Sequence, residues 1–383
     1  MVSLLLLVGA LFCAGSSASA KPYLLSSGCS QNCAPRPGRT APAAASTLFD
    51  RAIALTAVGR DEESASILQT VLHAPDTGLV WRARKLLMLN ERSRFHYRNA
   101  LAAISTDRGR RDAGFENDAR LLDALVETPP EQLVSGRELN LRDFRLTAVI
   151  GTRRVVSLVD TGASLCAISR SAARAAGLRV HPVGYRIRAA QGEEVRGDVA
   201  VGDLSFDGIR IRNVVFLVLP DAAFEHSGIS ALIGLPVLRQ LVLILGGPRR
   251  DADGMKIPIV FSGGVPSVRI ALEGIPMQCE MDTGSNRSWF IASRLPIRAF
   301  KRADRPAGRV VVTGIGGGPD TLNGLQFNAR VALGSRDATI PRAFAVSNDR
   351  SNGTTARCTL GRDAILRLAP IRLDFSSMRV VIQ

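Results

Sequence analysis

The sequence predicts a mainly β protein built as two similar lobes and preceded by an α-helical segment. Three observations carry this. The triplet Asp-Thr-Gly occurs twice, at Asp160-Thr161-Gly162 and Asp282-Thr283-Gly284, 122 residues apart and each time after an apolar stretch. A glycine closing a short strand-like run follows each triplet at a similar distance, Gly234 after 74 residues and Gly361 after 79. Upstream of both, the hydrophobic period changes from that of strands to that of helices.

In the first copy, Leu146 to Ile150 and Val155 to Val159 flank Gly151 and read as a β-hairpin that delivers Asp160. In the second, Val268 to Leu272 and Met277 to Met281 flank Gly274 and deliver Asp282. Ala167-Ile168-Ser169 and Trp289-Phe290-Ile291 follow as short strands. Ser169 is placed to cap an alanine-rich helix that stops at Gly177. Leu232-Ile233-Gly234 and Thr359-Leu360-Gly361 each precede a short helical pattern and then an apolar strand. One Asp-Thr-Gly alone is most often a turn, because all three residue types favour turns. Two in matched surroundings point to two carboxyls brought together across a pseudo-twofold axis, a pair able to share one proton and activate water.

These motifs resemble the pepsin and retropepsin superfamily of aspartic proteases, in a bacterial retropepsin-like form, over about residues 140–383. The resemblance implies a bilobal acid protease fold with both lobes in one chain, and hence a monomer, with lobes 140–250 and 256–383. It implies that Asp160 and Asp282 are catalytic, one protonated while the other takes a proton from the attacking water, with no cofactor and no acyl-enzyme. Thr161 and Thr283 would bond across the lobe interface. Gly162 and Gly284 would let the backbone turn beside the carboxyls. Ser164 fills the small polar position after the first motif, and Asn286 departs mildly from the residues usual there. Gly234 and Gly361 would permit close backbone crossing behind the two loops. Flap hairpins would fall at Ala189 to Glu194, around Gly192, and at Thr313 to Pro319, around Gly314 and Gly316. No flap tyrosine of the pepsin type is evident. The implied substrate is an extended peptide, and a noncatalytic peptide-binding module is the alternative. The fold would also bring Cys279, three residues before Asp282, to Cys358, three before Gly361, where a disulfide could form.

Composition narrows the classes. At 383 residues, 46% hydrophobic and a mean hydropathy of +0.12, the chain has ample material for a core. Its net charge is +15, yet 45 of its 49 cations are scattered arginines and only 5% of residues are aromatic, which argues against nucleic acid. An anionic membrane surface or acidic substrates fit that charge. The histidines His73, His96, His181 and His226 stand apart and no Cys-x-x-Cys occurs, so no metal is expected.

Residues 1–20 read as a signal peptide: Leu4 to Gly15 is apolar and Ala18-Ser19-Ala20 offers a cleavage site, although a basic start is missing. Export to the periplasm or outside the cell follows, and it permits disulfides, Cys29 with Cys33 included. Ser26-Ser27-Gly28-Cys29 resembles a lipidation site but lacks the apolar lead. Residues 21–45 read as a linker rich in Pro, Ser, Ala and Gly. Residues 46–130 read as the helical segment, with apolar faces at Leu48, Ala52, Ile53 and Leu55, at Ala65, Leu68, Val71 and Leu72, and at Val80, Ala83, Leu86, Leu87 and Leu89. A tetratricopeptide-like unit, a cap on the β lobes and a pro-segment all fit this segment.

Overall fold

The computed structural model describes residues 3–5, 41–105, 113–188, 194–225, 227–247, 254–292, 307–313, 320–346 and 358–382. The chain divides into two units, one of residues 12–127 and one of residues 1–11 with 128–383.

The helical unit runs α1 (Ala41–Ala57), α2 (Asp61–Val71), α3 (Thr77–Ser93), α4 (Tyr97–Ser105) and α5 (Ala113–Leu125). Each helix packs on the next. Ala52, Leu68, Ala83, Leu87, Met88, Ala100 and Leu122 are buried between them. Asp76 begins α3 by accepting from the N–H groups of Gly78 and Leu79 at 2.8 and 3.1 Å. Two readings need correction. The helix α1 starts at Ala41, inside the stretch read as linker, because the alanines that follow Pro42 favour helix over coil. Ile53, assigned to the buried face, is 46% exposed.

The β unit begins with β1 (Ser3–Leu5), β2 (Gln132–Ser135) and β3 (Glu138–Leu141). Its first half continues with β4 (Arg145–Ile150), β5 (Arg153–Val159), β6 (Cys166–Ser169), α6 (Arg170–Ala175), β7 (Val180–Arg188), β8 (Glu194–Phe206), β9 (Ile209–Leu219), β10 (Ala231–Ile233), α7 (Leu235–Leu238) and β11 (Val242–Leu245). After β12 (Met255–Ser262), the second half repeats that order of strands, without a described counterpart of α6 and with one strand more at its end. It comprises β13 (Val265–Leu272), β14 (Ile275–Met281), β15 (Trp289–Ile291), β16 (Ala307–Thr313), β17 (Asp320–Leu333), β18 (Arg336–Val346), β19 (Cys358–Leu360), α8 (Arg362–Leu368), β20 (Ile371–Asp374) and β21 (Arg379–Ile382).

The repetition extends to the pairings that close each barrel. In the first, β9, β6, β10, β5, β4 and β8 are neighbours in that order, and β8 closes the ring by pairing with β9. In the second, β18, β15, β19, β14, β13 and β17 do the same, with β17 closing on β18. The parallel pairs β5 with β10 and β14 with β19 are what place an Asp-Thr-Gly loop beside a glycine loop in each barrel. The hairpin turns fall on Gly151 (φ 55°) and Gly274 (φ 80°), which take the left-handed backbone that a side chain disfavours. Ser169 caps α6 by accepting from the Ala172 N–H at 3.2 Å.

A further sheet is shared by both halves. β3 and β11 come from the first half, and β12, β20 and β21 from the second. They join where β11 runs antiparallel to β20, with Val242 opposite Asp374 and Leu245 opposite Ile371. Arg372 and Glu138 form an ion pair at 2.8 Å across the same layer. β2 pairs with β9 and β3 with β11, so the first lobe extends upstream of residue 140.

Candidate active site

Each candidate aspartate sits just beyond a strand and is tied to the glycine loop beside it. The Asp160 N–H donates to the Ile233 carbonyl and the Asp282 N–H to the Leu360 carbonyl, both at 3.0 Å. Behind the glycines the backbones cross closely: a Cβ on Gly234 would overlap the Ala163 and Leu165 carbonyls, and one on Gly361 would overlap the backbone of Arg287.

The two loops are joined by their threonines. Thr161 Oγ1 donates to the Met281 carbonyl at 2.6 Å and accepts from the Thr283 N–H at 3.0 Å. Thr283 Oγ1 donates to the Val159 carbonyl at 2.8 Å and accepts from the Thr161 N–H at 3.0 Å. Both threonines are fully buried, so these four bonds have no competition from water.

The loops hold the carboxyls face to face. Asp160 Oδ1 accepts from the Gly162 N–H, and Asp282 Oδ1 from the Gly284 N–H, both at 2.8 Å. Asp282 Oδ1 also accepts from the Ser285 N–H at 3.1 Å. A Cβ on Gly284 would collide with the Asp160 carboxyl, so that position admits only glycine. Both carboxyls are buried, and Asp160 Oδ2 has no partner among the described residues. One proton held between the two carboxyls would satisfy it. Burial and then the negative charge of Asp282 hold Asp160 well above the ordinary carboxylate range. Burial also raises Asp282, to about 6, opposed by the Gly284 and Ser285 N–H groups, the bond to Asp160 and the charge of Arg362. Both shifts run in the direction that favours one proton shared between the two carboxyls.

Ser164 and Asn286 lie half-buried two residues beyond the loop glycines. Gly192, Gly314 and Gly316, and likewise Cys29 and Cys33, lie outside the described residues. The strands that border the two proposed flaps do pair antiparallel, β7 with β8 and β16 with β17. Cys279 and Cys358 form a disulfide, Cα to Cα 4.7 Å, one residue before the paired Glu280 and Thr359. Cys166 is a buried free thiol whose Sγ accepts from the Gly234 N–H at 3.3 Å. Ser288 does the same for Gly361 at 3.0 Å, so the two residues perform one structural job in the two lobes.

Sequence reasoning passed over Arg362. It follows Gly361, its N–H donates to the Ser285 carbonyl at 2.8 Å, and its guanidinium stands 5.8 Å from the Phe144 ring of the other lobe. It is the cation whose charge favours ionised Asp282. The available signal was its place directly after the glycine of the second copy.

Residues 146–237, which span the first Asp-Thr-Gly and Gly234, match the family model described as aspartyl protease. That match supports a retropepsin- or pepsin-like aspartic protease family for the first lobe. Solved structures similar to the chain include the aspartic proteinase from Irpex lacteus, at 10% identity and a TM-score of 0.40, covering 65% of this chain and 95% of that one. A search of curated proteins finds no match.

Proposed function

We propose that the chain is an aspartic endopeptidase that hydrolyses peptide bonds with a water activated by Asp160 and Asp282. The observation that carries this is the pair of buried carboxyls, each fixed by its own loop N–H groups and joined through Thr161 and Thr283. The ionised carboxyl accepts a proton from water as it attacks the scissile carbonyl, and the protonated one polarises that carbonyl's oxygen. Proton transfer to the leaving nitrogen restores the pair. Both carboxyls come from one chain, so a monomer suffices. The substrate enters as an extended peptide between the lobes, with backbone hydrogen bonds supplying affinity. Export follows from the reading of residues 1–20. It predicts that protein isolated from cells begins after Ala20 and has lost β1.

The test is incubation with a mixed peptide library from about pH 3 to about pH 8, with cleavage sites mapped by mass spectrometry. Internal cleavage blocked by a statine-type peptide is expected. Tight statine binding without any cleavage would instead favour a noncatalytic peptide-binding module.

A further inference from the structure

The two lobes match strand for strand, so matched positions can be compared directly. One cross-strand row of the second barrel runs Ser267, Glu280, Thr359, Trp289, Phe344. Its counterpart in the first barrel runs Arg145, Leu158, Leu232, Ala167, Leu217. The three middle positions are thus Leu, Leu and Ala in one lobe and Glu, Thr and Trp in the other. Glu280 lies two residues before Asp282, so on the strand period both side chains project to one face.

These polar groups are not satisfied by one another. Glu280 is 2% exposed and its Oε1 has no partner among the described residues. Its Oε2 accepts only a long bond of 3.4 Å from Thr359 Oγ1. The indole Nε1 of Trp289 is also buried and has no partner among the described residues, although the residue as a whole is half-buried. Trp289 is held from behind by Ile291, Phe344 and Val346. Buried polar atoms are nearly always paired, so one free carboxyl oxygen and one free N–H in a single row point to an absent polar group.

We propose that Glu280, Thr359 and Trp289 form a polar subsite beside Asp282 that takes a carboxamide side chain, glutamine or asparagine, of the peptide substrate. The proposal rests on the endopeptidase reading of the same site. A carboxamide offers an acceptor for the indole N–H and donors for Glu280 Oε1. An aliphatic side chain leaves both unpaired, and a cation leaves the indole unpaired. Burial, with the charge of Asp282 added, pushes Glu280 up to about 8, so it is uncharged at neutral pH and suits a neutral ligand.

Two statine-type peptides, identical except for glutamine or leucine at both residues flanking the statine, test this by calorimetry. Wild type is expected to bind the glutamine form at least ~10-fold tighter, because a site built for hydrogen bonds rejects the analogue that lacks them. The double variant Glu280→Leu/Thr359→Leu restores the residues of the first lobe and should reverse that preference. Glu280→Gln should keep it. Equal affinity for the two peptides, or preference for leucine, in wild type would overturn the subsite and leave the endopeptidase reading intact. If wild type binds neither peptide and cleaves nothing, both readings fall. Should the double variant fail to fold, the wild-type comparison decides alone.

Discussion

Thr161 illustrates how much one side chain carries here. Its hydroxyl serves the Met281 carbonyl and the Thr283 N–H, both buried. Thr161→Val keeps the shape and strands both groups, at about 1–3 kcal/mol each. Denaturant unfolding should show a loss of roughly 2–6 kcal/mol, largely restored in Thr161→Ser; an unchanged midpoint would contradict the bonding described. Glu131 gives a second residue-scale prediction. Gln240 donates to its Oε1 at 2.7 Å, but Oε2 has no partner among the described residues and burial raises the carboxyl from 4.5 to about 8. A raised value means that the folded state binds more protons than the unfolded one between pH 4.5 and about 8. Its contribution is thus fully present below 4.5 and lost as pH rises through 8. Glu131→Gln should reduce the fall in stability across that window by about 1.4 kcal/mol per pH unit, and a pH profile identical to wild type would refute the assignment. At this scale the aspartates, threonines and glycines were legible because they recur at one spacing. Arg362, Glu280 and Glu131 were not, since a single charged residue in a strand or loop shows neither its burial nor its partners.

Single elements acquire their role through pairing. β14 leads into Asp282 and β19 into Gly361, and the Cys279–Cys358 disulfide clamps the two strands immediately before the site. It closes a loop with a sequence separation of 79. Replacing both cysteines with alanine should cost about 2–4 kcal/mol in unfolding experiments. Alkylation should reach neither sulfur before reduction, and ready labelling of either would count against the bond. The hairpins around Gly151 and Gly274 were readable from alternation and a turn glycine. The start of α1 was not, because alanine-rich sequence with a leading proline reads equally as coil and as a first helical turn. Ile53 shows the same limit: a helical stripe gives the apolar face only to within a residue's rotation.

At the scale of the whole β unit, the duplication was visible but the layer that unites its halves was not. β3 and β11 pair into the same sheet as β20, β21 and β12, and no motif marks these short apolar runs as partners over more than a hundred residues. The consequence is mechanical. A fragment ending at residue 250 leaves β11 without β20 and exposes the apolar face of β3 and β11. It should therefore fail to fold alone, and a cooperative unfolding transition of that fragment would show the lobes to be independent. The shared sheet also keeps two carboxyls from separate barrels in register, which a shared proton requires.

The central claim is that Asp160 and Asp282 form one catalytic pair. The direct measurement is turnover of a cleaved peptide by wild type, Asp160→Asn and Asp282→Asn across the pH range, with folding checked by thermal unfolding. Each variant removes one member of the proton-sharing pair, so each should lose at least ~100-fold in kcat while remaining folded. Turnover near the wild-type level in either folded variant would contradict the account.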